Sequence, residues 1–307
     1  MEAVFREHRQ HLWALCYRMT GSAADADDLV QDTFARAIER PPPSTDRPWR
    51  PWLVRVAINL ALDLLRRRKR RGYTGPWLPA VIDTGDQASP PSYEPTLADG
   101  STTAGRYDLL ESVSIAFLLA LEALTPAQRA VLLLRDVFDY SGRETGEALA
   151  MSEAAVKTTL HRARRAMAAY DGDRRVPTAA LQQRTRAALE QFVMRLIAGD
   201  VAGVEALLAG DVRALSDGGG EFKAARSPLR GRAKVAKFYV SITGLRPAGS
   251  AAELRMLNGM PTLVVRSPQA TGGIAPLVAL QVAIDDQGLI THVHSLLATA
   301  KVARLTA

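Results

Sequence analysis

The stretch LTPAQRAVLLLRDVFDYSGRETGEALAMSEAAVKTTLHRARRAM, residues 124–167, decides how this chain is read. Thr125-Pro126-Ala127-Gln128 is a helix opening: Thr125 caps, Pro126 takes the first helical position and Gln128 closes a capping box. An apolar run to Val137 follows, then a short helix within Tyr140 to Ala150. Ser152 then caps a last helix in which Val156, Leu160, Ala163 and Met167 share one face. The opposite face carries Lys157, Thr158, His161, Arg162, Arg164 and Arg165. A helix that is apolar inward and cationic outward, after a tight turn, is suited to the major groove of DNA.

The chain has 307 residues, enough for two or three domains, and its 39 Lys+Arg against 32 Asp+Glu give a net charge of +7. The charge is clustered, at Arg66-Arg67-Arg68-Lys69-Arg70-Arg71 and at Arg162 to Arg165, as a polyanion footprint requires. Cys16 is the single cysteine and lies among Leu12, Leu15 and Met19 at helical spacing, which reads as a buried structural thiol. Neither a zinc site nor any other metal site is expected, His161 included, and no cofactor. Charges at Glu2, Arg6, Glu7 and Arg9 interrupt any signal-like apolar run, and no segment is built to span a bilayer. The expected location is the cytoplasm.

Composition divides the chain into four segments. Residues 1–72 read as all helix, 73–105 as a Pro/Gly/Ser-rich linker with Trp77-Leu78-Pro79 its one hydrophobic element, 106–172 as the helix-turn-helix block and 178–307 as an α+β domain. In the first segment Ser22 caps a helix with Asp25 returning the bond; Ala26, Leu29, Val30, Thr33 and Phe34 face inward, and Asp28, Gln31, Asp32 and Arg36 outward. Glu39 to Pro51 reads as an extended loop holding Trp49. A long helix from about Trp52 has Leu53, Val56, Leu60 and Leu64 on its core face, and Arg55, Asn59, Asp63 and Arg66 on the other. Taken alone, that polar stripe is a solvated face with Asp63–Arg67 pairing worth tenths of a kcal/mol.

Four motifs in order, Asp25 to Phe34, Trp52 to Arg67, Leu124 to Arg129 and Val156 to Arg164, make the chain resemble an extracytoplasmic-function sigma factor of bacterial RNA polymerase. The resemblance implies that Asp28, Gln31 and Asp32 meet the polymerase core. It implies that Trp49, Arg55, Asn59, Asp63, Arg66, Arg67 and Arg70 take the melted minus-10 strand, a cationic track with a ring to stack on; Trp52 is as readily core. Glu153, Lys157, Thr158, His161, Arg162 and Arg165 would read the minus-35 duplex. Ala150 stands where the family often has a turn glycine, and Thr145 where a larger aliphatic is usual. A ligand-responsive helix-turn-helix repressor or activator that never joins polymerase is the alternative; it leaves the first two motifs without a use.

The last segment reads as three helices and a curved antiparallel sheet, with Asn258-Gly259 as a hairpin turn needing positive φ. The order resembles the SnoaL-like, or nuclear-transport-factor-2-like, cone. Sigma factors fused to such a domain form a subgroup with an Asp-Gly-Gly-Gly element, here Asp217-Gly218-Gly219-Gly220, and a Trp-Leu-Pro element, here Trp77-Leu78-Pro79. Ala80 and Val81 depart from its more polar continuation. The resemblance implies a built-in regulator that packs on the linker and replaces a separate anti-sigma factor. The cone leaves room for a small ligand. His292 and His294 share a face and, with Asp217 or Asp285, are the one catalytic alternative; paired strand histidines are more often wall residues, and no catalytic role is assigned.

Overall fold

The computed structural model describes residues 1–42, 48–85, 106–268 and 272–305, which form two compact units, 1–72 with 90–175 and 73–89 with 176–307. Residues 43–47, 86–105, 269–271, 306 and 307 lie outside the described residues.

The first unit is all helix. α1 (Glu2–Thr20), α2 (Ala23–Glu39) and α3 (Trp49–Arg71) form a bundle around Leu12, Leu15, Cys16, Met19, Phe34 and Leu53, all buried. Cys16 is free, and burial pushes its thiol pKa up to about 12, so it stays a neutral packing group. Ser22 accepts from the Asp25 amide as expected. The Asp25 carboxylate does not return the bond; it pairs with Arg68 on α3 and ties the two helices. α3 begins at Trp49, three residues before the expected start, with Pro51 in its first turn. Proline is tolerated there because first-turn amides have no helical partner.

The second helical block holds α4 (Ile115–Ala120), α5 (Pro126–Asp136), α6 (Gly142–Leu149), α7 (Glu153–Ala166) and α8 (Ala168–Gly172). The Thr125–Gln128 capping box is present, and a second, Ser141–Glu144, opens α6. Val156, Leu160, Ala163 and Met167 are buried, as the periodicity predicts. Two buried cations join this block to α1. The Arg18 guanidinium donates to Ser112 Oγ (2.7 Å) and the Leu109 carbonyl (2.9 Å), and Arg129 to the carbonyls of Met19 and Leu121 (2.8 Å each). Glu111, wholly buried, closes the block by a bidentate pair with Arg174 (2.5 Å) and by accepting from the Tyr170 hydroxyl (2.8 Å).

The second unit is a cone. α9 (Ala179–Ile197), α10 (Val201–Leu207) and α11 (Arg232–Gly244) pack on a six-stranded sheet of order β2-β1-β6-β5-β4-β3. The strands are β1 (Leu208–Asp217), β2 (Leu229–Arg230), β3 (Ala251–Leu257), β4 (Met260–Arg266), β5 (Leu277–Ile284) and β6 (Ile290–Leu296). Asn258 (φ 53°) and Gly259 (φ 74°) form the expected positive-φ turn. The sheet is not wholly antiparallel: β1 and β6 run parallel, because the chain between them crosses over through α11 before the hairpins. α12 (Thr299–Val302) ends the unit.

Ala150 ends α6 in the left-handed region (φ 53°, ψ 46°), where a side chain costs about 1 kcal/mol, so Ala150→Gly raises the midpoint of chemical unfolding. His11 lies between Tyr140 (3.1 Å) and Arg50 (3.4 Å), and burial, then the cations Arg50 and Arg18 with His8, push its pKa down from 6.5 to about 3. The unfolded chain therefore takes up this proton first, and stability falls as pH drops below about 6.5, by up to about 1.4 kcal/mol per unit. His11→Gln flattens that slope between pH 6.5 and 5; parallel pH–stability curves for both proteins would refute it.

Candidate nucleic-acid interface and linker clamp

α7 is the best-formed surface. Glu153, Lys157, Thr158, His161, Arg162 and Arg165 are all exposed, on the face opposite Val156 and Leu160. Arg164, grouped with them by sequence, does another job: it grips Asp136 with two bonds (2.7 and 2.9 Å) and fastens α7 to α5. Gly146 permits the tight packing of α6, since a Cβ there would lie 2.6 Å from the Met151 carbonyl oxygen.

On α3, Arg55, Asn59, Asp63, Arg66 and Arg67 are exposed along one side. Asp63 pairs with Arg66 at 3.0 Å, one residue short of the expected Arg67, whose Nε instead reaches the Asp63 carbonyl at 3.4 Å. Trp49 is half-buried at the helix start, edge-on to a half-buried Trp52 at 6.3 Å, so the expected loop tryptophan is an anchored ring. The Arg70 side chain lies outside the described residues. On α2, Asp28, Gln31 and Asp32 are exposed, whereas Asp27 accepts from the Trp13 indole (2.9 Å).

The third site lies within the second unit. Residues 73–85 run as a strap on the side of the sheet that carries the Asp217 side chain and reach the edge strand β3, where Asp83 bridges Leu257. Asp217, wholly buried at the end of β1, anchors it. Its Oδ1 accepts from the Tyr73 hydroxyl (2.6 Å) and the Gly219 amide (3.1 Å), and its Oδ2 accepts from the Leu78 amide (2.7 Å) and pairs with Lys301 of α12. The Lys301 ammonium also donates to the Leu78 carbonyl and sits over the rings of Tyr73 (4.6 Å) and Trp77 (4.7 Å). Further along, Ile82 exchanges bonds with Asn258 (3.0 Å each), and Thr84 takes the Gly259 amide (3.0 Å). Leu78, Pro79, Ala80, Val81 and Ile82 are buried.

The glycines explain the close approach. At Gly219 (φ 59°) a Cβ would lie 3.0 Å from Ala298 and 3.7 Å from the Tyr73 hydroxyl, at Gly218 3.0 Å from the Phe222 carbonyl oxygen, and at Gly220 (φ 81°) 3.5 Å from Thr74. Sequence reasoning found Asp217 and the Trp-Leu-Pro element, and missed Tyr73, Asn258 and Lys301. Lys301 had a signal, a lone cation in the apolar stretch 296–303. Asn258 read as a turn residue, and nothing in its neighbourhood announces a strap.

His292 and His294 pair across the sheet with Ala283 and Gln281, on the strap face, away from the cone interior. Burial and His292 push the His294 pKa down to about 3, which leaves it neutral. Among the described residues no His/Cys/Asp/Glu group could hold a metal, and no helix is long and apolar enough to cross a membrane.

Residues 4–71 match the family model for sigma-70 region 2, and residues 114–167 that for sigma-70 region 4. A chain with both regions, each presenting its polar face outward, is a sigma factor of bacterial RNA polymerase. It is 34% identical over 263 residues to the ECF RNA polymerase sigma factor SigJ of Mycobacterium tuberculosis, covering 83% of this chain and 78% of that one. To SigG of the same organism it is 40% identical over 168 residues, 51% of this chain and 45% of the relative. The crystal structure of Mycobacterium tuberculosis SigJ superposes with a TM-score of 0.70 at 26% identity, covering 99% of this chain and 98% of that one. The chain belongs to the extracytoplasmic-function sigma factors, transcription factors that act with RNA polymerase core on promoter DNA.

The clamp gives the third prediction. Lys301→Met leaves a buried carboxylate uncompensated and costs about 3 kcal/mol in the second unit. Asp217→Asn on that background recovers part of the loss. Hydrogen exchange of the peptide at 73–82 speeds up in the single variant and slows again in the double; additive losses would refute the pairing.

Proposed function

We propose that this sigma factor carries its own regulator, and that the regulator acts by holding the strap. The observation that carries the reading is the buried Asp217 carboxylate, which takes donors from Tyr73, Leu78 and Lys301. The strap is the chain that follows α3 directly and leads toward α4 to α7. Its attachment takes residues 73–85 out of the connection between the two helical blocks, with no separate anti-sigma factor needed.

The division of labour on the helical blocks rests on exposure and charge. Glu153, Lys157, Thr158, His161, Arg162 and Arg165 of α7 read the minus-35 duplex, with phosphates taken by the cations. Arg55, Asn59, Asp63, Arg66, Arg67 and Arg70 of α3 track the melted minus-10 strand, with Trp49 at its start. Asp28, Gln31 and Asp32 meet the polymerase core. His292 and His294 lie on the strap face and Asp217 is committed to the clamp, so no catalytic role is assigned to these three. The protein works in the cytoplasm, where polymerase and promoter are.

Transcription from a cognate promoter with core polymerase tests both parts. Asp217→Ala in the full chain and truncation to residues 1–175 shift promoter activity in the same direction. Arg162→Ala lowers promoter binding at least several-fold at fixed salt while core binding stays constant. Equal activity of the full-length, Asp217→Ala and truncated proteins would remove the regulatory role; unchanged promoter affinity in Arg162→Ala would remove the assignment on α7.

A further inference from the structure

The inside of the cone is a small apolar chamber floored by Ser216, Tyr239 and Ser295, and the charge of the unit lies elsewhere. Residues 222–252 hold seven Lys and Arg and no Asp or Glu, whereas the rest of 176–307 holds eight cations and nine acids. The excess falls where the chain forms β2 at the sheet edge and enters α11. Arg226, Arg230, Arg232, Lys234 and Lys237 are exposed there, and β1 adds the exposed Arg213, directly opposite Arg230 in the antiparallel pair. Arg213 projects to the same side of the sheet as Asp217, four residues on, while Lys234 and Lys237 turn away from the buried Val235, Ala236 and Tyr239 of α11.

This edge is unfavourable in the free protein. Like charges directly opposite one another on neighbouring strands repel, and cations in the first turn of a helix oppose its dipole; Arg213 with Arg230 is the first case, and Arg232 with Lys234 the second. Elsewhere in the unit Arg195, Arg255, Arg266 and Lys301 each pair with a carboxylate, of Asp200, Asp83, Glu253 and Asp217. Among the described residues none of the six edge cations is in an ion pair, Asp211 being the nearest acid along β1. A partner with closely spaced negative charge turns that repulsion into attraction. The edge has no exposed ring for a base to stack on, since Phe238 is half-buried and Tyr239 buried, which disfavours a single strand. Its exposed neighbours Ser227, Pro228, Ala233 and Ser241 offer no large apolar side chain to a bilayer. Duplex phosphate fits what is left, and a chain that acts on promoter DNA tethers the cone to duplex at high effective concentration.

We propose that the β2 edge of the cone is a contact surface for duplex DNA, on which Arg213, Arg226, Arg230, Arg232, Lys234 and Lys237 take backbone phosphates without reading sequence. The cone thereby adds affinity and salt sensitivity to the complex rather than specificity. The surface uses no residue of α7 or of the clamp, so failure here leaves both of those readings standing.

Fluorescence anisotropy of the full-length protein on a random duplex of about 40 base pairs, from about 50 to 200 mM salt, tests it. The doubles Arg213→Gln with Arg230→Gln, and Lys234→Gln with Lys237→Gln, each reduce the slope of log affinity against log salt by about 1 to 2 and weaken binding about fivefold or more. Arg184→Gln with Arg195→Gln, the same loss of charge on α9, changes affinity less than about twofold. Arg230→Glu separates DNA contact from a structural role. It sets a carboxylate opposite Arg213, so the unfolding midpoint of the second unit rises while duplex binding weakens; a residue that serves only the fold moves both the same way. With core polymerase, the two edge doubles weaken promoter and random duplex by the same factor. An unchanged salt slope in both edge doubles, an equal loss in the α9 control, or an altered sequence preference each overturns the assignment. Loss in the edge doubles of binding to phosphatidylserine vesicles, with duplex binding intact, assigns the surface to lipid and overturns it as well.

Discussion

One buried carboxylate organises the second unit. Asp217 accepts from a phenol, two amides and an ammonium, and those donors come from Tyr73, Leu78, Gly219 and Lys301, separated by more than two hundred residues of chain. Its own carbonyl oxygen takes the amides of Leu297 and Ala298, which turns the chain out of β6 and into α12. A buried ion pair is seldom more stable than apolar groups of the same volume, but it is intolerant of losing a member. An Asp-Lys pair of this kind is a poor way to add stability and a good way to fix one arrangement. The glycines after Asp217 follow from the same constraint, because Gly219 and Gly220 have positive φ and a Cβ on Gly218 or Gly219 would crowd the segments brought together there.

The first unit solves a similar problem with cations. Arg18 and Arg129 are buried where α1 meets the second helical block, and their partners are mostly backbone carbonyls. The Met19 carbonyl lies in the last turn of α1, beyond the reach of that helix's own amides, so the Arg129 guanidinium satisfies a group that an apolar residue would strand. Two populations of basic residues stand out in this unit. Arg18, Arg129, Arg164 and Arg174 are committed to structure, and the exposed ones on α3 and α7 are those that the proposed division of labour gives to nucleic acid.

What the sequence discloses tracks how local the cause is. Caps at Ser22, Thr125 and Ser152, the apolar stripe of α7 and the Asn258-Gly259 turn are set within a few residues, and each stands where the pattern puts it. Start points fail where proline is ambiguous: Pro51 reads as a loop residue yet fits the first turn of α3. Long-range pairings are beyond the reach of pattern. Arg164 looks like its neighbours Arg162 and Arg165 until Asp136 is found beside it, and Asp25 looks like a capping residue until Arg68 takes it. Ala80 and Val81, a departure from the subgroup's polar continuation, are apolar because the strap buries them, at 1% exposure each. Ala150 was legible as a residue out of place; its left-handed backbone is the turn's demand, met without a glycine.

The strand β1 joins the two features of the cone. Ser216 and Asp217 are consecutive, so their side chains project to opposite faces, one into the chamber and the other into the clamp. The parallel register repeats this on the neighbouring strand, where Ser295, opposite Ser216, bonds Tyr239 at the chamber floor and Leu296 stands opposite Asp217. Pairing on a period of two leaves no small adjustment available, because a slip by one residue would exchange the faces, placing a carboxylate in the chamber and a serine against Lys301. The hydrogen bonds from Leu297 and Ala298 to the Asp217 carbonyl hold that register at its end. Floor and clamp are thus two sides of one short ladder, and neither can be repositioned without the other.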